Sequence, residues 1–125
     1  MEKKSIELAK QLLVEDKIEA ATSVLKSLVK SEPTNEKAWI ILCGISSRTS
    51  NWKLGSESFL RLTELRPKDA LASSGLVQCL IELGEIEKAH TEISRFREAA
   101  DVKASGVEEV LAEFSDLEKK KRSDS

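Results

Sequence analysis

Residues 36–69 read EKAWIILCGISSRTSNWKLGSESFLRLTELRPKD, and this stretch decides the fold. Trp39, Leu42 and Cys43, and then Phe59 and Leu62, recur at the three- and four-residue intervals of one helix face. The same residue types return 34 positions away on both sides. Leu42 aligns with Leu8 and Leu76, and Trp52 with Ile18 and Ile86. Gly55 aligns with Ala21 and Ala89, Phe59 with Leu25 and Ile93, and Leu62 with Leu28 and Phe96. Pro67 repeats Pro33, whereas the third line carries Asp101. A fixed period of this size marks a solenoid, in which each repeat buries its face on its neighbour. The expected architecture is therefore all-α: an α-solenoid of three antiparallel helix pairs with a seventh C-terminal helix. Such arrays are surfaces for other proteins.

The pattern predicts helices over 3–14, 17–31, 36–48, 51–66, 70–82 and 85–100, grouped as repeats 2–35, 36–69 and 70–101. Punctuation keeps the same period. Asp16, Ser50 and Gly84 each precede a second helix and are residue types accepted at a helix N-cap. Asn35 and Asp69 precede the next first helices in the same way. Pro33 and Pro67 stop the helices before them. After Ala100 the repeat breaks off. Ser105 and Glu108 then have capping-box spacing, and Val107, Val110, Leu111, Phe114 and Leu117 form one apolar stripe. This predicts a helix over 105–120 that covers the open end of the array, followed by a flexible charged tail over 121–125. A stripe of this kind would also suit a groove in another protein.

Composition removes several classes. The chain of 125 residues suffices for one domain with a core. Two Trp, three Phe and no Tyr are too few for a β-sandwich or a base-stacking surface. Twenty basic against 22 acidic residues give a net charge of −2, which disfavours a nucleic-acid binder. No apolar run approaches the ~20 residues that cross a bilayer, and the N-terminus is not built like a secretory signal. The expected location is the cytoplasm. Cys43 and Cys79 fall at buried positions of first helices and read as core side chains rather than a disulfide. One histidine and no CxxC pair leave no metal-ligand set. His90 has no nucleophile partner, the acidic pairs lie at helix ends or on a polar face, and no glycine-rich phosphate loop exists. Neither a catalytic role nor a cofactor is expected.

The 34-residue helix–turn–helix resembles the tetratricopeptide repeat. That motif wants large residues at repeat positions 4, 7, 11 and 24, small ones at 8, 20 and 27, and proline at 32. Trp39, Leu42, Cys43, Gly55, Phe59 and Pro67 match it in the second repeat, Leu8, Ala9, Leu12, Ala21, Leu25 and Pro33 in the first, and Leu76, Leu80, Gly84, Ala89 and Ile93 in the third. Ser46 at position 11, Val77 at position 8, and the large Leu28, Leu62 and Phe96 at position 27 depart from it. The resemblance covers residues 2–101.

It implies a concave groove lined by the first helices through repeat positions 2, 5, 9, 12 and 13. In this chain these are Lys3, Ile6, Lys10, Leu13 and Val14; then Lys37, Ile40, Gly44, Ser47 and Arg48; then Leu71, Ser74, Gln78, Ile81 and Glu82. Apolar anchors flanked by Lys3, Lys10, Lys37 and Arg48 suit a partner peptide or amphipathic helix with some acidic residues. The expected function is that of an adaptor or small chaperone binding another protein there. The alternative is a structural subunit forming a homodimer through its exposed first repeat, where Leu8 and Leu12 border an open end. The asparagines sit at turns, so the carboxylate clamp found in some repeats of this family is not expected.

Overall fold

The computed structural model describes residues 2–124, with side chains over 4–120. Seven helices follow one another: α1 (Glu2–Val14), α2 (Ile18–Ser31), α3 (Glu36–Thr49), α4 (Trp52–Leu65), α5 (Ala70–Glu82), α6 (Ile86–Ala99) and α7 (Val107–Asp124). They contain no strand among the described residues. Helices pair as α1–α2, α3–α4 and α5–α6, and α2 leans on α3 as α4 leans on α5. The result is an α-solenoid stacked in chain order. The first six helices start and stop within one residue of the expected bounds.

The turns inside the pairs work differently from the sequence reading. Asp16, Ser50 and Gly84 are left-handed, with φ of 60°, 54° and 78°. They end the first helices; they do not cap the second ones. The next residue in each case sends its N–H back five residues: Lys17 to Leu12 at 2.8 Å, Asn51 to Ser46 at 2.9 Å and Glu85 to Leu80 at 2.8 Å. This is the Schellman closure of a helix C-terminus. Only glycine enters that conformation without steric cost, so Gly84 suits its turn better than Asp16 or Ser50 suits its own. The N-cap moves one residue on, and only Asn51 caps with its side chain, accepting from the N–H of Leu54 at 3.1 Å. Between pairs, Asn35 accepts from the N–H of Ala38 at 3.1 Å, and Asp69 from Leu71 and Ala72 at 3.0 and 3.1 Å.

Small residues at repeat position 20 let the helices close up. Ala21 and Ala89 are buried, and a Cβ at Gly55 would stand 2.5 Å from Cys79 Sγ. Gly75 is a second close approach between the same two pairs: a Cβ there would overlap the ring of Phe59 from α4. The position-27 residues Leu28, Leu62 and Phe96 are all buried despite their size.

Helix α7 packs on α5 and α6 through Val107, Val110 and Phe114. The Phe114 ring meets Phe96 edge-to-face at 6.0 Å, and Arg97 of α6 pairs with Glu118. The three buried residues of α7 among the described side chains stand 34 positions after Ser73, Leu76 and Leu80. Helix α7 covers the end of the third repeat, with Glu108, Glu109, Ala112, Glu113 and Asp116 exposed on its outer side. Its start differs from the expected one. Gly106 is left-handed at φ 83° and the helix begins at Val107, leaving Ser105 too far back to close a capping box with Glu108. The helix continues through Asp124, past the expected start of a tail at 121; side chains from 121 on lie outside the described residues.

Candidate protein-binding surface

Repeat positions 2, 5, 9, 12 and 13 share one face of each first helix, because their spacings follow the helical turn. The structure divides them. Ile6 belongs to the core at 6% exposure, packed with Leu25, Leu28 and Leu42, so it does not line a groove. Leu13 and Ile81 are half-buried against the core clusters. The exposed apolar residues are Val14 at 81%, Ile40 at 44% and Leu71 at 77%. Lys10, Lys37, Gly44, Ser47, Arg48, Gln78 and Glu82 are exposed around them. The side chain of Lys3 lies outside the described residues.

Charge is unevenly spread over this face. Lys10 and Lys37 have no ion-pair partner among the described residues, whereas Arg48 reaches Asp16 at 3.4 Å. Both members of that pair are exposed, so it contributes little stability. At the other end Ser74 donates to Glu113 of α7 at 3.1 Å, beside exposed Glu82. The face is thus basic across the first two repeats and acidic across the third.

The opposite side carries a cleft that sequence reasoning missed. About 680 Å³ opens between α4 and α6, floored by Leu60, Leu76, Leu80 and Leu83. Leu60 and Leu83 are 46% and 39% exposed. Leu60 stands out of the buried apolar register of α4, the one signal by which the sequence marks it. The walls pair internally, Lys88 with Glu85 at 2.9 Å and Arg95 with Glu92 at 2.7 Å.

Two carbonyls at repeat position 32 are satisfied by different means. Trp39 Nε1 donates to the carbonyl of Pro33 at 2.7 Å. The corresponding residue of the third repeat is Ser73, too small to do this. There Arg95 donates to the carbonyl of Pro67 at 2.9 Å and holds Glu92, which also accepts from Ser73 Oγ at 2.6 Å. Glu92 is buried at 7% exposure. Its counterpart beside Trp39 is Ser58, whose buried hydroxyl has no partner among the described residues.

No group of His, Cys, Asp and Glu among the described residues is arranged to hold a metal ion, and no helix there is long and apolar enough to cross a membrane. Cys43 and Cys79 are free thiols. Burial, then the neighbouring Cys79 and Asp69, push the Cys43 thiol up to about 12; burial raises Cys79 as well. A thiol pKa raised by folding favours the native state fully below the ordinary thiol range of about 8.5, and this contribution is lost as pH climbs toward 12. Both thiols are expected to resist iodoacetamide at about pH 8 in the native chain and to react fully in guanidinium, since the thiolate is the nucleophile. A thiol alkylated within minutes under native conditions would contradict the packing.

Stacked helical hairpins with two exposed sides place the chain in the class of α-solenoid repeat proteins. No family model matches it, and no curated protein matches it in sequence. Its fold is similar to a MamA D159K mutant, with a TM-score of 0.66 and 19% identity over 85% of this chain and 58% of that one. It is also similar to MamA from Desulfovibrio magneticus RS-1 (TM-score 0.57, 18% identity, 75% and 53% covered). A third likeness is PilW, described as a type IV pilus biogenesis factor (TM-score 0.54, 18% identity, 78% and 44% covered). These are helical repeat solenoids of the tetratricopeptide type. The chain spans about half the length of each.

Proposed function

We propose that this chain is a protein–protein interaction module, an adaptor or small chaperone, that takes a peptide or amphipathic helix of one partner on its first-helix face. One observation carries the reading: Ile40 and Leu71, 44% and 77% exposed, share that face with Lys10 and Lys37, which have no ion-pair partner among the described residues. Apolar groups left in water beside uncompensated charge complement a ligand that is apolar on one side and acidic at its edge. The chemistry asked of such a module is recognition, so it needs no catalytic group or cofactor.

The test is capture from the native cell by the wild-type chain and by the double variant Lys10→Glu, Lys37→Glu. Surface charge changes of this kind cost under about 0.5 kcal/mol each, so the fold survives. The double variant is expected to lose the partners that the wild type captures. Equal capture would remove the first-helix face and direct attention to the cleft between α4 and α6.

A second reading rests on Leu8. It is 49% exposed, whereas its counterparts Leu42 and Leu76 are 0% and 3% exposed, because α2 and α4 lean on the helices that carry them. Two copies meeting over this residue would form a closed dimer. Light scattering that gives a monomer mass at every concentration would exclude it.

A further inference from the structure

Three glycines lie inside helices: Gly44, Gly55 and Gly75. Glycine is disfavoured there, because it loses more backbone freedom than alanine on folding. Two of the three have a reason within the chain. Gly55 admits Cys79 and Ser46, and Gly75 receives the Phe59 ring on its bare backbone. Gly44 has none: nothing lies within 4 Å of where its Cβ would be. It sits on the exposed side of α3, one turn after Ile40 and one turn before Arg48.

Gly75 shows what this chain does with a helical glycine. A flat ring lies against the helix where a side chain would stand, and its edge packs on neighbouring apolar groups. Gly44 offers the same bare strip of helix facing outward, with Ile40 44% exposed beside it. The charge around it is basic, from Lys10 on α1 and Lys37 on α3, neither of which has an ion-pair partner among the described residues.

We propose that Gly44 is the seat for an aromatic side chain of the partner, held against the α3 backbone and Ile40, with acidic residues of the same partner segment facing Lys10 and Lys37. This rests on the first-helix face being the binding surface, and it adds the anchor's chemistry. A Cβ at Gly44 would lift the ring off the helix, whereas the fold has room for it and gains slightly in helix propensity.

A display library of random peptides, panned in parallel on the wild-type chain and on Gly44→Leu, tests this. Thermal melts first establish that the variant is folded, as the empty surroundings of Gly44 require. The expected outcome is a set of peptides enriched on the wild type alone. They carry Phe, Tyr or Trp with Asp or Glu nearby, and synthetic copies bind Gly44→Leu at least about ten-fold more weakly. Peptides that tolerate Gly44→Leu but are lost on Lys10→Glu, Lys37→Glu would remove the aromatic seat and leave the face. Peptides indifferent to both changes would remove both, and so would a library that enriches nothing on the wild type.

Discussion

Replacing Phe114 with alanine is expected to lower the unfolding free energy by about 3–5 kcal/mol, the usual cost of deleting a fully buried ring. Phe114 and Phe96 are both 0% exposed and meet edge-to-face at 6.0 Å. The contact joins α7 to the third repeat, and the surrounding Leu80, Ile93 and Val110 cannot fill the space without moving helices. The variant should lose helical signal from α7 before the rest of the array, since nearest-neighbour coupling lets the end of a solenoid open first. Urea unfolding followed by circular dichroism measures both. A loss below about 1 kcal/mol would mean that α7 does not close the array.

The second large effect is at Arg95. Its replacement by alanine should cost about 2–4 kcal/mol, because it leaves the Glu92 carboxylate buried without its cation and the Pro67 carbonyl without a donor. Arg95 is itself 35% exposed, and water reaching into the vacated space keeps the figure below that of a fully buried pair. The joint replacement Glu92→Leu with Arg95→Met should cost less than Arg95→Ala, since it removes the uncompensated carboxylate and leaves only the Pro67 carbonyl and the Ser73 hydroxyl without their partners. A double-mutant cycle decides the matter. If the joint variant loses as much as the two single variants together, the network is not a coupled unit.

Much of this was legible in the sequence. Leu42 with Leu8 and Leu76, and Gly55 with Ala21 and Ala89, display the period and the close approach of paired helices, because both depend on local spacing. Asn35 and Asp69 were legible as caps, since an Asx side chain before an apolar helix has one obvious use. Asp16 and Ser50 misled because the residue types that cap a helix start also tolerate or imitate the left-handed end of the helix before it. The start of α7 was hidden by the left-handed turn at Gly106. The network of Ser73, Glu92 and Arg95 was illegible for a different reason. It replaces Trp39 and Ser58 as a set, and no one of its members signals the exchange alone.

The candidate surface was legible only in part. Lys10, Lys37, Ile40 and Leu71 were placed by resemblance and are exposed. Ile6 was placed with them and is buried, since helical phase fixes a direction but not which neighbours cover it. The cleft between α4 and α6 depends on how far apart two second helices stand, which no local pattern reports.

Neighbouring repeats lie directly against each other, and the Phe59–Gly75 contact reports this with one magnetic resonance spectrum. The prediction is that a Gly75 Hα resonance is displaced upfield by the Phe59 ring and shows cross-relaxation to its protons. Gly75 Hα shifts at ordinary helical values with no cross-peak to Phe59 would mean that α4 and α5 are not stacked, and the solenoid would fall with them.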